Sequence, residues 1–258
     1  MTSENISYRV ENGAAWVTLN RPEKSNALDR AMMEDLAAML MRAESRDEVR
    51  LLVLTGAGDV FCAGGDLSEF LDRSPADQRR AVEAFARLMT IPQAVGKPVI
   101  AAVNGLTLGG GCGLVAACDL AIAVESARFG LPELRVGLFP FLAMPHLLRT
   151  IGQRHFLKLA LTGELVSAHE AKSLGLVDWV VPVERLTDSV QEVAQRIRGY
   201  SPVLLRMGKE ALRGVMTAGL PAALQGLKEA LMMALATEDA RERMRAFVER
   251  RPPIWKER

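Results

Sequence analysis

Three consecutive glycines, Gly109, Gly110 and Gly111, stand between two apolar runs, KPVIAAVNG (97–105) and DLAIAVE (119–125). Each run has the density of a buried strand. Between them the chain reads as a glycine-rich turn followed by a short helix. Glycine near a helix costs about 1 kcal/mol relative to alanine. The stretch GLTLGGGCGLVAACD (105–119) therefore signals that something must approach the backbone closely. A strand, helix and strand in so short a span also favour parallel pairing.

The same alternation fills the first half of the chain. Val10–Leu19 holds two short apolar runs around Asn12-Gly13, a hairpin signal. Asp29 is positioned to cap a helix whose apolar positions, Met32, Met33, Leu36, Met39 and Leu40, are spaced three and four apart. RLLVLTGAG (50–58) reads as a buried strand with a glycine turn, and FCAGGD (61–66) as a second glycine-rich turn before a helix. From Ala76 to Val95 the pattern is helical, with an interruption expected at Pro92. The fold class implied is α/β with largely parallel strands.

After about residue 135 the pattern becomes helical. SAHEAKSLGLVDWVV (167–181) reads as a capped helix, a glycine stop at Gly175 and a short strand. Helices are expected over Leu186–Ile197, Val203–Met216, Ala222–Leu235 and Ala240–Val248. The division expected is an α/β core over residues 1–195 and a helical region over 196–258.

Composition narrows the function classes. The 258 residues carry a net charge of +1 and 5% aromatics, without the basic footprint of a nucleic-acid binder. No apolar run is long enough to span a bilayer, and MTSENISYRV lacks the pattern of a secretory leader. A cytoplasmic protein with reduced thiols at Cys62, Cys112 and Cys118 is expected. The three cysteines form no CxxC pair and the three histidines no HExxH pattern, so no metal site is expected.

Three chemistries fit the glycine-rich turns. Backbone N–H groups left unpaired at two adjacent strand-to-helix junctions form an oxyanion hole. Gly111-Cys112-Gly113-Leu114-Val115-Ala116 matches a dinucleotide fingerprint, but Gly105–Leu108 intervenes after the strand. Gly105-Leu106-Thr107-Leu108-Gly109 resembles a nucleophile elbow with threonine in place of serine, which needs a histidine base such as His146 or His155. Glu133, in ARFGLPELRVGLFP, is the acid-base candidate, because apolar surroundings raise a carboxyl pKa. The alternative is an ordinary first-turn glutamate after Pro132. Asp119 reads as structural and Asp66 as a cap.

LNRPEKSNALD (19–29), FCAGGDL (61–67), residues 97–123 and ARFGLPELRVGL (127–138) resemble the enoyl-CoA hydratase/isomerase family of the crotonase superfamily. LTGELVSAHEAKSLGLVDWVV (161–181) and TEDARERMRAFVERRPPIW (237–255) continue the resemblance. It implies a ClpP/crotonase-like fold, a spiral of β-β-α units whose C-terminal helices trimerise the protein, often as a dimer of trimers. It implies acyl-CoA thioester substrates, with CoA arriving as part of the substrate and no separate cofactor. By position in the matching motifs, Gly65 and Gly110 supply the oxyanion N–H groups. Ala27, Leu28, Ala63, Asp66 and Leu67 line the CoA, and Lys24 meets its phosphates. The C-terminal helices complete the CoA site.

The sequence departs from the family pattern at one place. Hydratases of the family carry two glutamates, and Glu133 matches only the second. Gly113 stands at the first. Losing a positioned acid-base group costs ~10²–10⁴-fold in rate. The resemblance thus leaves a hydratase, a Δ3-to-Δ2 enoyl-CoA isomerase using Glu133 alone, or a non-catalytic acyl-CoA-binding member. Phe139, Phe141 and Met144 are expected either to line an apolar acyl pocket or to pack in the core.

Overall fold

The computed structural model describes residues 4–71, 73–216 and 218–256. Two strands open the chain, β1 (Ile6–Glu11) and β2 (Ala14–Leu19), joined at Asn12-Gly13 with both residues at positive φ. The hairpin expected there forms, with Glu11 opposite Ala14. Then follow α1 (Arg30–Glu44), β3 (Leu51–Gly56), β4 (Val60–Cys62), α2 (Pro75–Ala94), β5 (Val99–Val103) and β6 (Leu106–Leu108). The middle of the chain holds α3 (Gly110–Ala117), β7 (Leu120–Val124), β8 (Arg128–Gly130), α4 (Met144–Thr162), β9 (Leu165–Ser167), α5 (Ala168–Leu174) and β10 (Trp179–Val181). Four helices finish it: α6 (Leu186–Arg198), α7 (Pro202–Val215), α8 (Leu220–Ala236) and α9 (Glu238–Val248).

The strands form two sheets. The larger runs β1-β2-β3-β5-β7-β10, and all its pairs after the first hairpin are parallel. Its strands β3 and β5 are apolar and almost wholly buried, as parallel strands covered on both faces must be. The smaller sheet, β4-β6-β8-β9, consists of three-residue strands. Its strands β4 and β6 lie inside the two glycine-rich stretches and carry them side by side.

Local signals explain the helix ends. The Asp29 carboxylate accepts from Met32 N at 2.7 Å and starts α1. Ser167 and Glu170 form a reciprocal capping box on α5, which stops at Gly175 in the left-handed conformation. Residue 195 falls within α6.

Three local readings need correction. Pro92 does not interrupt α2, which continues to Ala94. The carbonyls exposed at its last turn are taken up by another helix: Lys209 Nζ donates to Pro92 O at 3.2 Å, and Arg213 Nη1 donates to Gln93 O and Ala94 O at 2.7 and 2.8 Å. FCAGGD leads not into an α-helix but into a single 3-10 turn, Leu67–Glu69, capped by Asp66. The threonine elbow is strand β6, where Thr107 is buried and its hydroxyl donates to Gly105 O. His155 bonds Ile151 O within α4, and neither histidine is bonded to Thr107.

Candidate active site

The site is built where β4, β6 and β8 end. Gly109 N donates to Gly130 O at 2.9 Å, fixing the start of α3 against the end of β8. Buried Cys112 adds Sγ bonds to Thr107 O and Gly130 O, and burial pushes its thiol pKa up. Leu131 and Pro132 then turn the chain so that Glu133 comes back over Gly109. Gly109 has φ +52, and a Cβ on it would lie 2.7 Å from Glu133 Oε1. The missing side chain makes room for the carboxylate.

Among the described residues, buried Glu133 Oε2 has no hydrogen-bond partner. Burial raises the Glu133 pKa above the ordinary glutamate range, opposed only by its own backbone N–H. A carboxyl with one unpartnered oxygen and a raised pKa is suited to proton transfer.

Two backbone N–H groups in these adjacent turns are left without a carbonyl partner among the described residues. Gly110 is the first residue of α3, whose N-cap, Gly109, has no side chain to satisfy it. Gly65 is freed differently. Leu28 N donates to Gly64 O at 2.8 Å and Asp66 N donates to Leu28 O at 2.9 Å, a parallel bridge between Leu28 and Gly65. In such a bridge the N–H of the central residue points to the far side. Among the described residues, no backbone carbonyl bonds Gly65 N or Gly110 N. The two turns touch: a Cβ on Gly64, at φ +94, would lie 3.3 Å from Gly110 N. The Phe85 ring from α2 covers Gly110 where a side chain would project.

The expected CoA-lining residues also converge. Ala63 N donates to Ser25 O at 3.0 Å, so 24–28 and 63–67 run together. Lys24 and Leu67 are exposed, and Ala27 and Ala63 are half-buried. Leu28 differs: its side chain is fully buried in the core, so only its backbone is offered to the site. The Asp66 carboxylate is held by Arg21 Nη2 at 3.3 Å and accepts from Ser68 N at 3.0 Å.

Sequence reasoning missed the groups that hold this strip. Arg21 bridges Asp66 and Asp29, the latter at 2.8 Å, and donates to Ala27 O. Asn26, buried at φ +53, donates to Ala57 O and Val60 O and accepts from Arg21 N. The Asn20-Arg21-Pro22 turn signal marks the place but not these partners. Of the three proposed acyl-pocket residues, Phe139 packs edge-on against Phe156, and Phe141 is exposed.

Gly113 faces α4. A Cβ there would lie 2.8 Å from Ala143 Cβ and 3.0 Å from Ala143 Cα, with Met89 Sδ at 3.3 Å. Its residues 111–116 lie within α3 rather than in a turn after a strand, so the dinucleotide reading fails. Among the described residues, no three His, Cys, Asp or Glu side chains converge as a metal site would require. No helix among them is long and apolar enough to cross a membrane.

The sequence profile of enoyl-CoA hydratase/isomerase matches residues 9–258. The chain belongs to that family. It is 37% identical over 247 residues to the 2,3-dehydroadipyl-CoA hydratase of Escherichia coli, covering 94% of each chain. It is 35% identical over 257 residues to the short-chain-enoyl-CoA hydratase of Clostridium acetobutylicum, covering 97% of each. The fold superposes on the crystal structure of an enoyl-CoA hydratase from Bacillus anthracis with a TM-score of 0.93 at 37% identity, covering 98% of this chain and 100% of that one. This membership carries the crotonase fold and a place in acyl-CoA metabolism.

Proposed function

We propose that this family member acts on enoyl-CoA thioesters through an enolate, with Glu133 as its sole acid-base group. The thioester oxygen sits between Gly65 N–H and Gly110 N–H, and the α3 dipole adds to their stabilisation of the developing charge. Glu133 takes a proton from C2 of a 3-enoyl thioester. The electrons move into a dienolate whose oxygen carries the charge, and Glu133 returns the proton at C4. The product is the 2-enoyl thioester. No cofactor beyond the CoA of the substrate enters this scheme.

The observation that carries isomerisation over hydration is the contact between Gly113 and Ala143. Hydration in this family's two-carboxylate pattern needs a second glutamate at position 113. Here the position is not merely empty of a carboxylate: Ala143, the N-cap residue of α4, fills the space into which one would project. A single carboxylate suits a proton shuttle better than the activation of a water held between two.

Incubation with a 3-enoyl-CoA and with a 2-enoyl-CoA tests the reading. Isomerisation faster than hydration supports it. Hydration without isomerisation, or no turnover of either, overturns it.

The same reading includes assembly and setting. Leu220, Leu224, Leu227 and Leu231 of α8 form an exposed apolar stripe spaced four, three and four apart. A homotrimer or a dimer of trimers would cover it and bring the C-terminal helices to the CoA site. Lys24 would meet the CoA phosphates, with Ala27, Ala63, Asp66 and Leu67 along the cofactor moiety. The cytoplasm is the setting in which its three free thiols stay reduced.

A further inference from the structure

A cavity outside the chemistry above lies between α2, the first turns of α4 and α7. It measures about 430 Å³, within the range of small-molecule sites, roughly 300–1,000 Å³. Its polar lining comes from Thr90 and Gln93 of α2, His146 and Arg149 of α4, and Arg213 of α7. Two arginines line it and no carboxylate does.

Met89 joins this cavity to the site. Its side chain lines the cavity, and its Sδ lies 3.3 Å from the Cβ position of Gly113. Phe85, one turn earlier on α2, lies over Gly110. This edge of α2 therefore leads from the oxyanion N–H, past Gly113, to the cavity. Met89 is the partition, and an unbranched thioether side chain adapts its shape more readily than a branched one.

The partition traces back to Gly113. Its bare backbone lets Ala143, at the start of α4, and Met89 of α2 both pack against it. There Gln93 Nε2 lies 3.3 Å from His146 Nδ1. Burial lowers the His146 pKa. Arg213 is held by its two Nη1 bonds to the end of α2, with the rest of its donor fork outside those bonds. Arg149 stands exposed at the rim.

We propose that this cavity receives the distal end of the acyl chain and selects chains that end in a carboxylate, with Arg149 and Arg213 as counter-charges. The inference rests on the acyl-CoA reading above. A terminal carboxylate leaving water needs charged donors, and the planar guanidinium fork matches it. A plain alkyl end would desolvate the same guanidinium groups without replacing their water.

Calorimetric binding of saturated thioesters, which have no double bond to move or hydrate, tests this apart from catalysis. Adipyl- and suberyl-CoA are compared with hexanoyl- and octanoyl-CoA. At least one ω-carboxy thioester should bind tenfold or more tighter than its length-matched alkyl partner. That preference should fall at least fivefold in Arg149→Leu and be partly kept in Arg149→Lys. Equal affinities within both pairs, or a preference untouched by Arg149→Leu, overturn the carboxylate selection and leave the acyl-CoA reading standing. Failure to bind any of the four overturns both.

Discussion

Gly109 and Glu133 are packed so that a methyl group on the glycine would lie 2.7 Å from Glu133 Oε1. The residue that caps α3 thus also sets the position of the Glu133 carboxylate. Gly109→Ala would push the carboxylate aside and force alanine to φ +52. We expect a stability loss of about 1–3 kcal/mol, read as a urea midpoint. The loss of turnover should exceed the fraction of unfolded protein.

Glu133→Gln should remove turnover by ~10²–10⁴-fold with the fold retained, because among the described residues Oε2 has no partner to lose. Solvent-deuterium exchange at C2 of a bound thioester reads this directly. Undiminished exchange would remove Glu133 from the mechanism.

The pH dependence follows from the raised Glu133 pKa. In the proposed mechanism Glu133 must be ionised, so turnover should rise with pH through a value above the ordinary glutamate range, and Glu133→Gln should lack that limb. Stability runs the other way. Between the unfolded and folded pKa values the native state binds more protons than the unfolded one, so the Glu133 contribution is full below the unfolded pKa. It is lost as pH rises through the folded pKa. Unfolding midpoints of the wild type should therefore decline across that window relative to Glu133→Gln.

Gly113→Glu should not create a hydratase. Its Cβ would meet Ala143 at 2.8 Å, and the Ala143 backbone cannot rotate away as a flexible side chain would. Gly113→Ala meets the same contact. Overpacking of this kind costs about 1–3 kcal/mol, against a gain of about 1 kcal/mol from replacing a helical glycine. Both variants should lower the Tm, and Gly113→Glu should add no water to a 2-enoyl-CoA beyond the wild-type rate.

Lys209 ties α7 to the core through Pro92 O, Lys97 O and Asp119 Oδ2, the last at 2.6 Å. Asp119 also accepts from Val99 N. Lys209→Met leaves two carbonyls and a half-buried carboxylate short of a donor, at a cost of about 1–3 kcal/mol. The expected result is a lower urea midpoint, with α7 becoming the first segment to lose amide protection in hydrogen exchange.

The sequence made the centre of the large sheet legible because strands such as β3 and β5 are apolar runs bounded by turn residues. It made α1 and α5 legible because Asp29, Ser167, Glu170 and Gly175 act within one turn of chain. The small sheet was not legible. β4, β6, β8 and β9 are three residues each, and each is a strand only because a distant neighbour bonds to it.

The site divides along the same line. By itself the sequence determined that bare backbone is needed at residues 64–65, 109–111 and 113, that Glu133 follows a turn in apolar surroundings, and that position 113 carries no acid. Only the tertiary structure decided what each glycine is bare for. Gly64 admits the neighbouring turn, Gly109 the Glu133 carboxylate, Gly110 the Phe85 ring, and Gly113 the methyl and Cα of Ala143. It also showed that Gly65 N–H is freed by a bridge to Leu28 rather than by a helix end. A glycine records an approach but not the group that approaches, because the partner comes from a segment far along the chain. Long-range packing alone sets which one arrives.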